Sequence, residues 1–457
     1  MTRLLVLSFW AAALTAQPSA GLDDKLAAPI RSALEKSGAP SVSVAIVMDG
    51  QIAYAKAFGS ADVAKNRAAG ADTRYAVGSV SKQFTAAALL LMQEQGKLSL
   101  DDKVSKYFPE YTRSGEISIR QLLSHTAGYE DFAPQDYIIP EWLKPTTPRT
   151  LLDRWAKKPL NFDPGTRWQY SNTNYVLAGE IFEKASGQGL LPFLREKIFE
   201  PLRMQTAGDC EASSPADATA YGRFALSPPR VVAREASGWY FAAGELCMTA
   251  SDLARWDMAF LEHKILSESS YAEFTRQVQL KDGDLTHYAL GLQLGDIGGM
   301  PTISHGGEVS GFLALNLLLP TRHAAIVLLS NEDGVNLIGP LSRQIAEILF
   351  QPDQPPASAR DTEQVRAVLE GLRKGKIDRP LFTANANFYF RDTTLQDYKS
   401  SLSPLGKLKS LTRTGENLRG GMTHRSYRAE YQKKTVLLNI YVMPDGKYEQ
   451  FLVVGQP

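Results

Sequence analysis

The strand-forming runs of this chain lie far apart in sequence, and that spacing constrains its fold more than any other feature. Residues 41–48 alternate around Val and Ile, Asp49-Gly50 offers a two-residue turn, and residues 51–58 return, which is the signature of a hairpin. Strand character resumes only at 302–304, 312–319 and 324–330, in short apolar runs punctuated by Gly307, Gly311 and Pro320-Thr321-Arg322. Between these blocks, residues from about 84 to 285 read as helices and Pro/Gly-rich loops. Further helices are expected at 22–36, despite Pro29, and at 337–349. The pattern predicts an α/β (α+β) fold over residues 21–350, an antiparallel sheet built from both ends of that segment, flanked by helices and carrying a large helical insertion.

Beyond this block the composition shifts. Residues 351–360 open with Gln351-Pro352-Asp353-Gln354-Pro355-Pro356 and read as a linker. Residues 361–457, a stretch of ordinary domain size, read as a separate small α+β domain. Its expected parts are helices at 362–373 and 395–402, a short strand at 383–390, and strands at 424–431, 435–442 and 448–454, with Pro444-Asp445-Gly446 making the last turn. This order of elements resembles small cone-shaped folds of the NTF2/cystatin-like kind, a likeness that carries no function. At the other end, Met1-Thr2-Arg3 precedes an apolar stretch at 4–14 and small residues at Thr15, Ala16 and Ala20. Residues 1–20 therefore read as a secretory signal peptide cut between Ala16 and Ala20, which predicts an exported, periplasmic or secreted protein.

With 457 residues, 44% hydrophobic and 22% charged, the chain has room for one large core and a second small one. A net charge of +1 and the lack of a basic stripe argue against a nucleic-acid partner. No later apolar run is long enough to predict a membrane span. The six histidines are scattered without a His-Glu-x-x-His pattern, so neither a metal nor another cofactor is expected. Cys210 and Cys247 fit either one disulfide or two buried thiols, and the oligomeric state is left open.

Ser79-Val80-Ser81-Lys82 sits where an extended run at 74–78 meets an Ala/Leu-rich helical run at 84–94. A Ser and a Lys three residues apart share one helix face. Ser79 then stands at a helix N-terminus, where free N–H groups and the dipole stabilise a developing oxyanion. Lys82 can accept the Ser79 proton once burial or a second cation lowers its pKa. Tyr170-Ser171-Asn172 lies in a polar loop ahead of a helix at 176–184. A phenol near the Lys82 ammonium is expected to be depressed in pKa and to serve as base or relay, and Asn172 to donate to a substrate carbonyl. His305-Gly306-Gly307 ends a strand run, and its glycines permit close backbone approach. The N–H of Glu308 is expected to complete an oxyanion hole with that of Ser79. His125, within Leu122-Leu123-Ser124-His125-Thr126-Ala127-Gly128, reads as structural.

In this order the three motifs resemble those of the serine hydrolases of the β-lactamase/penicillin-binding-protein superfamily. The likeness is to the class C β-lactamase-like branch, which includes D-alanyl-D-alanine carboxypeptidases, D-aminopeptidases and esterases. Residues 122–128, Asp163-Pro164-Gly165, Ala243-Gly244 ahead of 249–256, and Tyr288-Ala289-Leu290-Gly291 add to it, so that it covers about 22–350. The resemblance implies a serine β-lactamase-like fold and two-step acyl transfer, with an acyl-enzyme on Ser79 that water hydrolyses. It implies that Lys82 and Tyr170 share the proton work, that Asn172 binds the substrate amide, and that His305, Gly306 and Gly307 form the edge strand flanking the cleft. The third motif departs from the usual Lys-Thr-Gly: a neutral His305 offers no fixed cation to a substrate carboxylate. His-x-Gly instead resembles D-aminopeptidase-like and esterase-like members. Glu308 stands where relatives often have a small residue, and a carboxylate there favours a substrate with a free amino group. D-amino peptides, esters and β-lactams remain open as substrates. The alternative, a catalytically weak penicillin-binding-like or regulatory binding protein, is opposed by the presence of Ser79, Lys82, Tyr170 and Asn172 together.

Overall fold

The computed structural model describes residues 20–135, 137–210, 216–225, 227–350, 359–419 and 422–455. The expected leader, Ala20 apart, and most of the expected linker lie outside the described residues. The chain forms two compact units. One holds the residues through Gly295 together with Pro301–Phe350, and the other holds Asp296–Met300 with the residues beyond Phe350.

In the larger unit a helix, α1 (Ala20–Ser37), leads into strands β1 (Ser41–Met48) and β2 (Gln51–Asp62). Asp49 and Gly50 close this hairpin with φ of 51° and 69°, the doubly left-handed turn that matches the twist of the flanking strands. The later strands are β3 (Gln293–Ile297), β4 (Met300–Val309), β5 (Phe312–Leu319) and β6 (Ala324–Ser330). They join the hairpin in one sheet of order Arg67–Ala68, β2, β1, β6, β5, β4, β3. β1 pairs antiparallel with β6 from Val42↔Ser330 to Met48↔Ala324, so the two ends of the segment meet at mid-sheet. Every residue of β6 is buried. Its run of apolar residues without alternation is what a strand covered on both faces requires.

Helix α2 (Ser81–Glu94) is buried along most of its length, its Ala/Leu-rich middle being apolar on all sides. Helices α3 (Asn172–Ser186) and α4 (Ala250–Leu261) belong to the same unit. Gln83 ties α2 to both α4 and the sheet: its Oε1 accepts from the Trp256 indole at 2.7 Å and its Nε2 donates to Asn316 at 3.0 Å. Asn316 in turn donates to the buried Asp257 at 2.9 Å. Cys210 and Cys247, left open by the sequence, are joined in a disulfide, with Cα atoms 4.9 Å apart. Helix α5 (Ile338–Leu349) closes the unit.

The smaller unit carries helices α6 (Ala359–Arg373), α7 (Ala384–Tyr389) and α8 (Asp392–Leu402). A four-stranded antiparallel sheet follows, β7 (Leu408–Arg419), β8 (Met422–Tyr431), β9 (Thr435–Val442) and β10 (Tyr448–Gly455), paired in sequence order. Two expectations are corrected here. The segment 383–390 is helical rather than a strand, because the Thr383 hydroxyl caps the Ala386 N–H and starts a helix that the aromatic run had disguised. Strand β7 went unforeseen because its residues are largely polar; it is held by pairing with β8, with two register shifts along the way.

Candidate active site

Ser79 lies in a short 3-10 turn, Gly78–Val80, that runs directly into α2. Gly78 takes φ of +50°, and a side chain there would bring its first carbon to 2.9 Å from the Glu308 nitrogen. A side chain on Gly307 would collide with the Val77 carbonyl and stand 3.1 Å from the Ser79 nitrogen. The two glycines thus let β4 press its backbone against the turn that carries Ser79, bringing the main chain of Glu308 beside that turn. In the sheet β3 lies outside β4, so the strand bearing His305, Gly306 and Gly307 is penultimate and not the edge strand expected. These residues nonetheless line the cleft.

Lys82, one helical turn on, is completely buried. Its Nζ donates to Asn172 Oδ1 at 2.8 Å, to the Ala243 carbonyl at 2.8 Å and to Ser79 Oγ at 3.0 Å. The first two partners are carbonyl oxygens that can only accept. They claim two N–H groups whatever the protonation state, so the third position, toward Ser79, holds either a proton or the lone pair. Burial lowers the Lys82 pKa to about 7, partly opposed by the charge of Asp131. A large share of Lys82 is therefore a neutral amine near neutral pH, facing the Ser79 hydroxyl.

Tyr170 is hydrogen-bonded to Ser79, and the Lys82 Nζ stands 4.8 Å from its ring centroid. Its pKa moves opposite to the expectation. Burial raises it, the bond to Ser79 offsets only part of the rise, and Asp131 adds to it. Desolvation outweighs the bond to Ser79, so Tyr170 stays a phenol that donates and relays rather than a phenolate. Asn172 also departs from its expected role. Its Oδ1 serves Lys82, while its Nδ2 donates to the Asp131 carboxylate at 3.2 and 3.4 Å, so both ends of the amide are occupied within the protein.

His305 is held neutral, its pKa lowered to about 3 by burial and, less, by Lys82. Its Nε2 lies 2.8 Å from the Tyr288 hydroxyl. His125 is fully buried, with its pKa pushed well down by burial, and its Nδ1 accepts the Ser171 N–H at 3.2 Å. Its ring packs 4.3 Å from that of Tyr170 and 5.0 Å from that of Tyr288, holding both phenols in place. The parts played by two participants escaped the sequence reading. The Ala243 carbonyl has no side-chain signature at all. Asp131 stands only three residues past the 122–128 segment, but the contact that brings it into the site is with Asn172, 41 positions away.

The cleft holds about 860 Å³ and is lined by Ser79, Tyr170, Asn172 and residues 305–310. Its charged lining residues are Asp131, Glu235, Glu308 and Asp333, with no Lys or Arg among them. Glu308 itself is exposed.

Comparison with known proteins agrees with this geometry. The chain is 29% identical to penicillin-binding protein 4* of Bacillus subtilis over 334 residues, 69% of this chain and 74% of that one. It is 28% identical to a D-aminopeptidase of Brucella anthropi over 60% of this chain, which spans about half (52%) of that relative. A solved D-stereospecific amidohydrolase from a Streptomyces species superposes with a TM-score of 0.61 at 27% identity, over 71% of this chain and 98% of the other. The sequence profile of the family described as Beta-lactamase matches residues 26–347. A profile match across so much of the larger unit means that the chain belongs to the beta-lactamase family, the superfamily of serine hydrolases that includes the penicillin-binding proteins.

Proposed function

We propose that this serine hydrolase cleaves the amide bond of a D-amino acid amide or D-amino peptide that bears a free amino group, through an acyl-enzyme on Ser79. The observation that carries the catalytic assignment is the position of the Lys82 amine, pinned by two acceptor-only oxygens and turned toward Ser79 Oγ. In acylation Ser79 Oγ attacks the substrate carbonyl carbon as its proton passes to Lys82 Nζ. The N–H groups of Ser79 and Glu308 receive the oxyanion. The proton then travels through the Tyr170 hydroxyl to the leaving nitrogen, the C–N bond breaks, and the amine departs. Water repeats the attack on the ester, its proton taken by the same pair, and the free acid leaves with Ser79 restored.

The preference for an amine rests on charge. A cleft lined by four carboxylates and no Lys or Arg, with a neutral His305 at the third motif, attracts a cationic substrate and repels an anionic one. The D-aminopeptidase and the D-stereospecific amidohydrolase among the relatives favour the same reading. Export belongs to it too: the apolar segment near the N-terminus has the form of a leader, and a disulfide suits an oxidising compartment. The test is a turnover panel of D-Ala-p-nitroanilide, p-nitrophenyl butyrate, nitrocefin and a D-Ala-D-Ala peptide, for wild type and Ser79→Ala. D-Ala-p-nitroanilide is expected to give the highest kcat/KM of the two amides and the β-lactam, with no turnover in the variant. Nitrocefin as the best substrate would overturn the specificity, and an active Ser79→Ala would overturn the mechanism.

A further inference from the structure

Asp131 is nearly buried at the cleft wall, and its carboxylate is engaged by three N–H donors. It accepts the backbone N–H groups of Ala133 at 3.1 Å and Asn172 at 3.0 Å, besides the Asn172 side-chain amide. Asn172 begins α3, so the carboxylate also meets the positive end of that helix. A carboxylate has no hydrogen to give and an ammonium has no lone pair. The amide between them therefore has one acceptable orientation, with Nδ2 toward Asp131 and Oδ1 toward Lys82. Turning it over would set oxygen against carboxylate and N–H against ammonium.

We infer that Asp131 is a positioning residue that locks the Asn172 amide and thereby aims the free position of Lys82 at Ser79. The inference rests on the reading of Lys82 as the base for Ser79. The groups facing Lys82 are few. On its own helix turn there is Ser79; from the loop before α3 the Tyr170 ring, and from α3 itself Asn172 and the Tyr175 ring at 5.4 Å; from the chain ahead of α4 the Ala243 carbonyl. His125 and His305 are both depressed by its charge. Among the described residues the charge that acts back on Lys82, and raises its pKa, is that of Asp131. Two effects of Asp131 therefore coincide: it orients the amide and it keeps the amine from losing its proton too readily.

The experiment is the pH dependence of kcat/KM on p-nitrophenyl butyrate for wild type, Asp131→Asn, and the exchange variant Asp131→Asn with Asn172→Asp, each with its melting temperature. Asp131→Asn frees the amide to turn and removes the charge, and both changes disfavour the ammonium. Its acid limb should move down by about one pH unit, with about a tenfold loss of kcat/KM on the plateau. The exchange variant brings a carboxylate into direct contact with Lys82, so its limb should move above that of wild type. A residue that only supports the fold would lower the melting temperature and the rate without moving the limb. An unmoved limb in Asp131→Asn, or a shift in the same direction in both variants, overturns the inference. Should Asp131→Asn not fold, the upward shift of the exchange variant decides alone. Failure of the Lys82 reading is distinguishable, since it shows in the wild type as a profile with no limb near pH 7.

Discussion

Each unit buries a cation, and the two are provided for in opposite ways. Arg413, in the smaller unit, is 4% exposed and paired with Glu416 at 2.7 Å. Glu416 also takes Arg425 at 2.7 Å, and Arg425 reaches Asp361 at 3.3 Å. Lys82, in the larger unit, is 0% exposed and donates its hydrogen bonds to neutral oxygens. Its carboxylate, Asp131, is kept one amide away. The first arrangement neutralises a charge, and the fold is served. The second leaves the charge poorly compensated, which lowers the pKa to about 7 and makes the amine reactive. Direct pairing with a carboxylate would stabilise the ammonium and abolish its use as a base, so the contrast separates a buried cation kept for stability from one kept for chemistry.

The largest effect that tests this contrast is on rate. Lys82→Met should lower kcat/KM by roughly 10²–10⁴-fold, the usual worth of acid–base help, without lowering the melting temperature, because it removes an uncompensated buried charge. Arg413→Met should do the reverse for stability and drop the melting temperature by a few degrees, since it takes one cation from a shared network. Calorimetry beside steady-state kinetics checks both, and a Lys82→Met protein that melts lower than Arg413→Met would break the comparison.

The next effect is the pH profile itself. Lys82 must be neutral to accept the Ser79 proton, and its pKa is about 7. Activity should be present above that value and fall about tenfold for each pH unit below it. Profiles of kcat/KM from pH 5 to 9 measure this, and a rate flat down to pH 5 would mean that the proton goes elsewhere. Tyr170→Phe should be smaller still, on the order of tenfold to a hundredfold, because the phenol relays a proton that Lys82 can also deliver through water. Since burial raises the Tyr170 pKa, the wild-type profile should show no basic group ionising as a phenolate between pH 7 and 9.

The smallest effect concerns Asp257, buried with its carboxyl raised to about 8 by desolvation, against the bond from Asn316. A carboxyl whose pKa is higher folded than unfolded holds more protons in the native state. Its cost to stability therefore grows as pH rises from about 4 toward 8. Asp257→Asn should remove that cost and gain a few degrees in melting temperature at pH 8.5, with little gain at pH 4. Equal shifts at both pH values would show that the carboxyl is not protonated in the native state.

Much of the larger unit was legible in the sequence because its signals are local. A two-residue Asp-Gly turn makes a hairpin, apolar runs without alternation make strands covered on both sides, and a Ser and a Lys three residues apart share a helix face. The smaller unit was less legible. A Thr cap overruled an aromatic run at 383–390, and β7 draws its stability from β8 rather than from its own polar residues. The site divides along the same line. Ser79, Lys82, Tyr170, Asn172 and the glycines at 306 and 307 could be named from their motifs; all but Lys82 line one cleft, and Lys82 is buried against Ser79 and Asn172. The part played by Asn172, the direction of the Tyr170 shift and the presence of Asp131 could not.

What the sequence determined by itself was the set of groups and their order, since short-range spacing decides which side chains share a turn. What only the tertiary structure decided was their protonation and their partners. Lys82 meets Asn172 across 90 residues and the Ala243 carbonyl across 161. A pKa depends on the water excluded and the charges gathered by such distant contacts, which no local stretch of sequence encodes.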